Sequence, residues 1–383
     1  MPDLSPPPIR AAHLRKTFGG HAVVRDVSFE VAAGETLVLL GPSGSGKTTL
    51  LKMLNRLVEP DGGSIEINGH DVLAQRPEVL RRGIGYVIQQ VGLLPHYTVA
   101  ENIAVVPRLL GHAPAAIAAR TTALLTRLHL PPARYAGQYP HQLSGGQQQR
   151  VGLARALAAD PPIILLDEPF GALDPLTRTS IRREFRELEE LKNKTVVLVT
   201  HDVIEAFELA DRIMLLEAGQ VQQLGTPREL LFRPANDFVR RFFAEERLGL
   251  QLRTLTLGDV WGEAPPERGA KNPERQAANP EFRGWTPERG AKNPERQAAN
   301  PERGAKNPER QAANPEREAK SPEPRVFRLE RQGQTPEFGN QTTVHDALEA
   351  LTGAIPVPAP FTVAQLMAAF GEALQREEDA WKR

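Results

Sequence analysis

The chain has 383 residues, of which 40% are hydrophobic and 25% charged, and its 47 basic and 47 acidic residues give a formal net charge of zero. This length can hold two domains with a sizeable core, and the balanced charge gives no global indication of a nucleic-acid partner or an anionic membrane surface. There is no cysteine, which excludes disulfides, thiolate zinc sites and cysteine nucleophiles. The N-terminus predicts no signal peptide, and no window approaches the ~18 apolar residues of a membrane span, so a role at a membrane would require other subunits.

Residues 9–31 alternate apolar and polar positions on either side of Gly19-Gly20, a pattern that predicts a β-hairpin. Phe18 precedes the turn. Its ring could stack on a nucleotide base or belong to an ordinary core.

Residues 37–51 join a short apolar strand, a glycine-rich turn and the start of a helix, in the pattern G-x-x-x-x-G-K-[ST]. Such a turn brings backbone N–H groups close to a polyphosphate, and the helix adds its positive end. Lys47 can reach terminal phosphates, and the Thr48 hydroxyl suits Mg²⁺. A glycine-rich turn that binds nothing is disfavoured because strand, lysine and hydroxyl are all in register. The predicted nucleoside triphosphate site comprises Gly41, Pro42, Ser43, Gly44, Ser45, Gly46, Lys47, Thr48 and Thr49.

Short strands are predicted at 64–69 and 84–88, and a helical region at about 91–160 that is interrupted by Pro131-Pro132 and Tyr139-Pro140. Within it, Ser144 precedes Gly145, Gly146 and Gln147 and is a candidate N-cap. The exposed N–H groups of this turn could hold an anion, although most such turns are simple caps.

Two further apolar strands end in polar residues. Residues 163–166 lead to Asp167 and Glu168, and residues 195–200 lead to His201. Because α/β sheets bind ligands at the carboxyl ends of their strands, we expect Asp167 to hold Mg²⁺, Glu168 to orient or deprotonate water, and His201 to sense the γ-phosphate. Solvated loop carboxylates are the simpler alternative. A charged helix at 179–192, a hairpin joining 213–216 to 221–224 and a helix at about 227–246 complete this region.

Together these motifs, with Gln89 and Asp174, resemble the ATPase subunit of ABC transporters over residues 9–246. The resemblance implies an α/β P-loop NTPase core with an antiparallel β subdomain and an inserted α-helical subdomain at about 91–160. The stretches 53–60, 86–96 and 98–107 are more narrowly similar to the ATPase subunit of glycine betaine/carnitine/choline importers, the osmoprotectant class. Importers of other small solutes, such as amino acids, remain an alternative.

The resemblance also implies residue roles, with ATP and Mg²⁺ as the bound species. Phe18 would stack on adenine, the 41–49 loop would hold the phosphates, and Gln89 would contact Mg²⁺ or the lytic water. Thr48, Gln89 and Asp167 would hold Mg²⁺, while Glu168, His201, Lys47 and Gln89 would carry catalysis. The turn that would close on the ATP of a second subunit comprises Ser144, Gly145, Gly146 and Gln147, and Asp174 would also bind the nucleotide.

The implied assembly is a head-to-tail ATPase dimer on the cytoplasmic face of the membrane. It would work with permease subunits, whose coupling helix would enter a groove at 91–101, and indirectly with an extracytoplasmic solute-binding protein. A soluble ABC ATPase acting on DNA or ribosomes is a third alternative. One set of motifs, no cysteine and no long heptad run make it less favoured.

The last third begins with a resemblance, at 252–260, to the segment that leads into tandem CBS domains. A proline-rich repeat then starts at Pro266, Pro287 and Pro301, and residues 262–325 are predicted to be a disordered linker, derived from a repeated DNA element rather than a binding array. Residues 326–383 predict a strand at 326–329, a helix at 343–351 and a second helix capped by Thr362, as a CBS remnant or an unrelated small α/β appendage. Packing of these helices on their own domain or a dimer mate is favoured over sensing of ionic strength.

Overall fold

The computed structural model describes residues 7–89, 92–171, 173, 175–261, 343–352 and 363–382. Ten strands lie in this part of the chain. They are β1 (Ile9–Phe18), β2 (His21–Val31), β3 (Thr36–Leu40), β4 (Gly62–Ile67), β5 (His70–Asp71), β6 (Ile84–Val87), β7 (Ile163–Asp167), β8 (Thr195–Val199), β9 (Arg212–Glu217) and β10 (Gln220–Gly225).

The larger sheet has six strands in the order β10-β9-β3-β8-β7-β6, and every neighbouring pair except β10 with β9 is parallel. Its central strands β3, β7 and β8 are rich in Leu, Ile and Val and buried almost throughout, as expected of a parallel sheet covered on both faces. Successive residues point to opposite faces. Leu37 and Leu39 therefore join one core cluster, while Val38 and Leu40 join the other.

The smaller sheet is antiparallel, in the order β2-β1-β4-β5. The pairing of Phe18 with His21 across the turn confirms the predicted hairpin. This sheet packs with the first helix on one face of the large sheet, and most of the other helices cover the opposite face. The architecture is the α/β P-loop arrangement that the sequence predicts.

The helices alternate with these strands and then continue beyond them. They are α1 (Lys47–Leu54), α2 (Pro77–Arg82), α3 (Val99–Leu109), α4 (Pro114–Arg127), α5 (Pro132–Tyr135), α6 (Gly145–Leu157), α7 (Pro175–Glu187), α8 (Val203–Leu209), α9 (Pro227–Phe232), α10 (Asp237–Phe242), α11 (Arg247–Thr254), α12 (Leu257–Trp261), α13 (Val344–Thr352) and α14 (Val363–Lys382).

Two helix predictions need correction. The single helix expected at 227–246 is wrong: α9 ends at Phe232, and the side chain of Asn236 caps a new helix by accepting from the Val239 N–H at 3.0 Å. Pro234 explains the break because it has no N–H and disfavours helical backbone in the residue before it. The charged helix expected at 179–192 starts earlier, at Pro175, and is followed by a 3₁₀ turn at Glu189–Leu191.

The two C-terminal helices pack on their own chain, as favoured from the sequence. The Val344 N–H donates to the Leu255 carbonyl at 2.9 Å, and the Arg376 guanidinium donates to the Asp259 and Val260 carbonyls, both at 3.1 Å. Leu366 and Phe370 are buried. The 262–325 linker, the 326–329 strand, Thr362 and Asp174 lie outside the described residues. Within the described segments, no helix combines the length and hydrophobicity needed to span a bilayer.

Candidate functional site

Four neighbouring parallel strands end at the same edge of the large sheet. The 41–46 loop follows β3, Asp167 and Glu168 stand at the end of β7, His201 follows β8, and Gln89 follows β6. Because the sheet order is β3-β8-β7-β6, residues distant in the sequence converge there, where open α/β sheets bind ligands.

Neighbouring backbone shapes the loop that follows β3. Gly46 has φ 97°, and a Cβ at this position would lie 2.6 Å from the Val23 carbonyl oxygen. At Gly41, a Cβ would lie 2.1 Å from the Leu216 carbonyl oxygen. Both positions therefore require glycine. Gly46 is also the N-cap of α1 and provides no side-chain hydrogen bond, which leaves the first N–H groups of the helix available to a ligand.

Lys47 is buried beneath this loop. Its ammonium group donates to the carbonyl oxygens of Gly41 and Pro42, each at 2.8 Å, and no carboxylate of the described residues is within ion-pair distance. Burial lowers the pKa of Lys47, although the nearby Glu168 and Asp167 oppose that shift. The other hydrogen-bond acceptor of Lys47 is the Ser45 hydroxyl at 3.4 Å. A buried cation held by neutral oxygens suits an incoming anion, so the loop fits a triphosphate.

Thr48 and Asp167 form the pair expected of a magnesium site. The Thr48 hydroxyl donates to Oδ1 of Asp167 at 2.9 Å. Burial raises the pKa of Asp167, and the Thr48 hydrogen bond partly offsets it. Among the described residues, no group of three His, Cys, Asp or Glu side chains could enclose a metal ion. The pair fits Mg²⁺, which commonly binds one or two carboxylates and takes its other ligands from phosphates and water.

Glu168 occupies the centre of the strand-end cluster. Gln89 donates from Nε2 to its Oε2 at 2.9 Å, and Nδ1 of His201 lies 3.3 Å from its Oε1. Its backbone is left-handed, with φ 45°, and its N–H donates to the Val199 carbonyl at 2.9 Å. Such backbone is costly for a residue with a side chain and is concentrated at functional sites. The structure thus brings Gln89, Glu168 and His201 together.

A cluster of charged side chains that the sequence reasoning missed includes Asp202, the residue after His201. Asp202 caps α8 by accepting from the Glu205 N–H at 3.0 Å, and it lies 3.5 Å from Arg178 and 3.6 Å from Arg182. Glu205 is 3% exposed, and burial, reinforced by Asp202, raises its pKa to about 8. The arginines stand four residues apart on α7, a spacing that places them on one helix face. This spacing is the feature of the sequence from which a charged cluster on α7 could have been predicted.

Phe18 presents its ring to solvent. The side chain is 47% exposed, and the Lys16 ammonium lies 5.3 Å from the ring centroid. An exposed aromatic ring at a strand end can stack on a planar ligand.

The Ser144 turn is separate from the strand-end cluster. Ser144 is exposed and caps α6, accepting from the Gln147 N–H at 3.4 Å, while Gln147 accepts from the Ser144 N–H at 2.9 Å. Gln147 also donates to the Tyr135 hydroxyl at 3.2 Å. In the described part of the chain, no hydrogen bond joins these residues to Lys47 or Glu168. The predicted N-cap is confirmed, and the turn faces outward.

Comparison with known proteins agrees with this geometry. The ABC transporter family matches residues 24–171. The glycine betaine/carnitine/choline transport ATP-binding protein OpuCA of Bacillus subtilis (strain 168) is 53% identical over 230 residues, which are 60% of each chain. The glycine betaine uptake system ATP-binding protein YehX of Escherichia coli (strain K12) is 49% identical over 64% of this chain and 80% of its own length.

A solved structure extends the comparison. The dimeric ATP-binding cassette MJ0796 bound to ADP and Pi superposes with a TM-score of 0.52 at 35% identity, over 57% of this chain and 98% of that one. The chain spans about 60% of the length of OpuCA and of the B. subtilis choline transport ATP-binding protein OpuBA. The chain matches four fifths of the length of YehX, and its glycine-rich loop follows a strand of a parallel sheet. We conclude that this chain belongs to the ABC transporter family of ATP-binding proteins.

Proposed function

We propose that the chain hydrolyses ATP as the energising subunit of an importer for glycine betaine, choline or carnitine-type solutes. The arrangement of Glu168 carries the catalytic part of this proposal, because both of its carboxylate oxygens have partners at the edge where the phosphate loop opens. The solute class rests on OpuCA, OpuBA and YehX, whose names state such transport.

We assign a task to each side chain, and the contacts described above support these assignments. The loop N–H groups and Lys47 bind the β- and γ-phosphates. Thr48, Asp167 and Gln89 would hold Mg²⁺, which would neutralise the charge that develops on the phosphates. Glu168 accepts a proton from the attacking water, and His201 holds the γ-phosphate. Gln89 and His201 each contact one oxygen of Glu168, and each carboxylate oxygen keeps a lone pair that can accept a hydrogen bond from the attacking water.

A second copy completes the site in this proposal. Ser144 is exposed at an outward-facing helix start, where it can reach the γ-phosphate of ATP bound to a partner subunit, with Gly145, Gly146 and Gln147 beside it. Asp174 also contributes to nucleotide binding in this proposal. The dimeric state of MJ0796 supports such an assembly. Phe18 stacks on adenine, so that the base and the phosphates are held by different parts of one subunit.

Membrane subunits dock elsewhere on the chain. Leu94 and Tyr97, which lie in the 91–101 segment just before α3, are more than two fifths exposed and offer an apolar surface to a permease helix on the cytoplasmic side. A solute-binding protein outside the membrane would deliver the cargo to that permease.

The catalytic proposal is tested with Glu168→Gln, which keeps the side-chain shape but removes the base. We expect ATP turnover to fall by about 10²–10⁴-fold while ATP still binds and a dimer accumulates. Glu187→Gln, at the exposed end of α7, is the matched control and should keep its turnover. A Glu168→Gln protein with normal turnover would remove Glu168 from catalysis.

The solute is tested by uptake. Cells with and without the gene are given labelled glycine betaine in competition with choline, carnitine and amino acids. Gene-dependent uptake that choline and carnitine inhibit supports the proposed class, and uptake inhibited only by amino acids changes the cargo. Co-purification with ribosomes or DNA, and no uptake, would contradict the importer assignment.

A further inference from the structure

One side chain connects the chain segments that follow the neighbouring strands β7 and β8. Arg178 of α7 donates from Nη2 to the Leu173 carbonyl at 3.1 Å and to the Gly171 carbonyl at 3.5 Å. Its Nη1 lies 3.5 Å from Oδ2 of Asp202. Since Gly171 and Leu173 follow β7 and Asp202 follows β8, a single guanidinium group bridges the two segments.

The segment that Arg178 holds after β7 lies against the carboxylate of Glu168. The Gly171 N–H donates to the Glu168 carbonyl at 3.2 Å, and a Cβ at Gly171 would lie 3.5 Å from Oε2 of Glu168. The left-handed backbone of Glu168, with φ 45°, persists only where the surrounding structure constrains it. The bond from Arg178 to the Gly171 carbonyl supplies such a constraint.

The other end of the bridge adjoins His201. Asp202 is the next residue, and its N–H donates to the Thr200 hydroxyl at 3.0 Å. Its carboxylate accepts from the Glu205 N–H at 3.0 Å, so Asp202 is held on both sides. Because Nδ1 of His201 lies 3.3 Å from Oε1 of Glu168, a displacement of Asp202 would shift His201 relative to that carboxylate.

Neither helix stability nor charge balance explains a cation at position 178. Arg178 lies close to the start of α7, which begins at Pro175, and a positive charge there opposes the helix dipole. Asp202 has a second cation, Arg182, at 3.6 Å, and Arg182 also contacts Glu208. The planar guanidinium of Arg178 directs one nitrogen to the carbonyls and the other to Asp202, a geometry that a lysine ammonium cannot reproduce.

We propose that Arg178 is a positioning residue for ATP hydrolysis, which holds the backbone around Glu168 at a fixed position relative to His201. It contacts neither ATP nor water, and it acts through Gly171 on one side and Asp202 on the other. The inference rests on the proposed function, because it requires Glu168 as the base. A misplacement of about 1 Å can cost about a hundred-fold in rate, so a small displacement of this bridge is sufficient for a measurable effect.

The test compares Arg178→Gln with the wild type in steady-state ATPase assays of the full chain. We expect kcat to fall by about ten- to a hundred-fold, while the KM for ATP stays within about two-fold because the phosphate loop is unchanged. Arg186→Gln removes a guanidinium group from an exposed position of the same helix and should keep wild-type turnover. Asp202→Asn retains a good cap for α8 but removes the charge at the other end of the bridge. It should reproduce the loss of kcat even if Arg178→Gln folds poorly.

A second arm asks whether Arg178 acts through Glu168. In a chain that already carries Glu168→Gln, adding Arg178→Gln should lower single-turnover hydrolysis by less than about two-fold, since residues that act as a unit are not additive. A loss as large as in the wild-type background would make Arg178 a support of the fold and overturn the proposal. Normal turnover in both Arg178→Gln and Asp202→Asn would overturn it as well. Normal turnover in Glu168→Gln would instead contradict the proposed function itself.

Discussion

The starts of α1 and α6 both follow glycine-containing turns, yet their first N–H groups are treated differently. Gly46 caps α1 without a side chain and lies buried, whereas exposed Ser144 caps α6 and exchanges hydrogen bonds with Gln147. Helix-start N–H groups need acceptors. At the start of α1 no side chain supplies an acceptor, so a ligand can supply it. At the start of α6 the Ser144 side chain accepts from the Gln147 N–H. One half of the candidate site is therefore formed within the chain, while the other half faces outward.

The largest expected effect comes from adding a methyl group at the start of α1. Gly46→Ala places a Cβ 2.6 Å from the Val23 carbonyl oxygen, whereas a Cβ at Gly44, where φ is 81°, meets nothing within 4 Å. Both substitutions cost about 1–2 kcal/mol for left-handed backbone. We expect Gly46→Ala to lower the free energy of unfolding by about 1–3 kcal/mol more, because of the clash, and to abolish measurable ATP binding. Denaturant unfolding of both variants measures the difference, and equal losses would show that the backbone contact with Val23 is unimportant.

The next effect tests whether Ser144 is more than a cap. Ser144→Ala and Thr226→Ala each remove a capping box of the same kind, at the starts of α6 and α9, and each should lower the free energy of unfolding by about 0.5–2 kcal/mol. If Ser144 also binds the phosphate of a partner's ATP, only Ser144→Ala should reduce turnover, by about 10–100-fold. Steady-state ATPase assays at saturating ATP distinguish these outcomes. A parallel loss in both variants would reduce Ser144 to a cap.

Whether a feature of this molecule can be predicted from the sequence depends on how far apart along the chain the residues that determine it lie. The hairpin at Gly19-Gly20, the Ser144 cap and the polar ends of β7 and β8 follow from adjacent residues, and the structure contains all of them. The contact between Gln89 and Glu168 joins residues 79 positions apart. Its geometry arises only when β6 and β7 pair.

The features that the sequence reasoning missed have different causes. Glu205 resembles any carboxylate on an amphipathic helix, and only the packing of α7 against α8 buries it beside Asp202 and Arg182. The break between α9 and α10 could have been recognised from Pro234.

A third helix start, that of α8, provides a pH-dependent test. Asp202 caps this helix, and burial raises the pKa of Glu205 from 4.5 to about 8. Between these values the folded state binds more protons than the unfolded state. The stability present below pH 4.5 is therefore lost as pH rises toward 8, by at most about 1.4 kcal/mol per pH unit. Compared with the wild type, Glu205→Gln should become progressively more stable over that window, as measured by urea unfolding at several pH values. Parallel pH profiles would show that Glu205 titrates normally.

The smallest expected effect concerns Phe18, which we expect to contribute to binding of the base and not of the phosphates. Phe18→Ala removes a half-exposed ring and should weaken ATP binding by about 0.5–1.5 kcal/mol, since stacking is worth that much beyond burial. Inorganic tripolyphosphate has no base, so its affinity should be equal in wild type and variant. Leu57→Ala, at a similarly exposed apolar position, controls for loss of surface area. If tripolyphosphate binding falls together with ATP binding, Phe18 supports the loop that follows β3 rather than the adenine, and the base is recognised elsewhere.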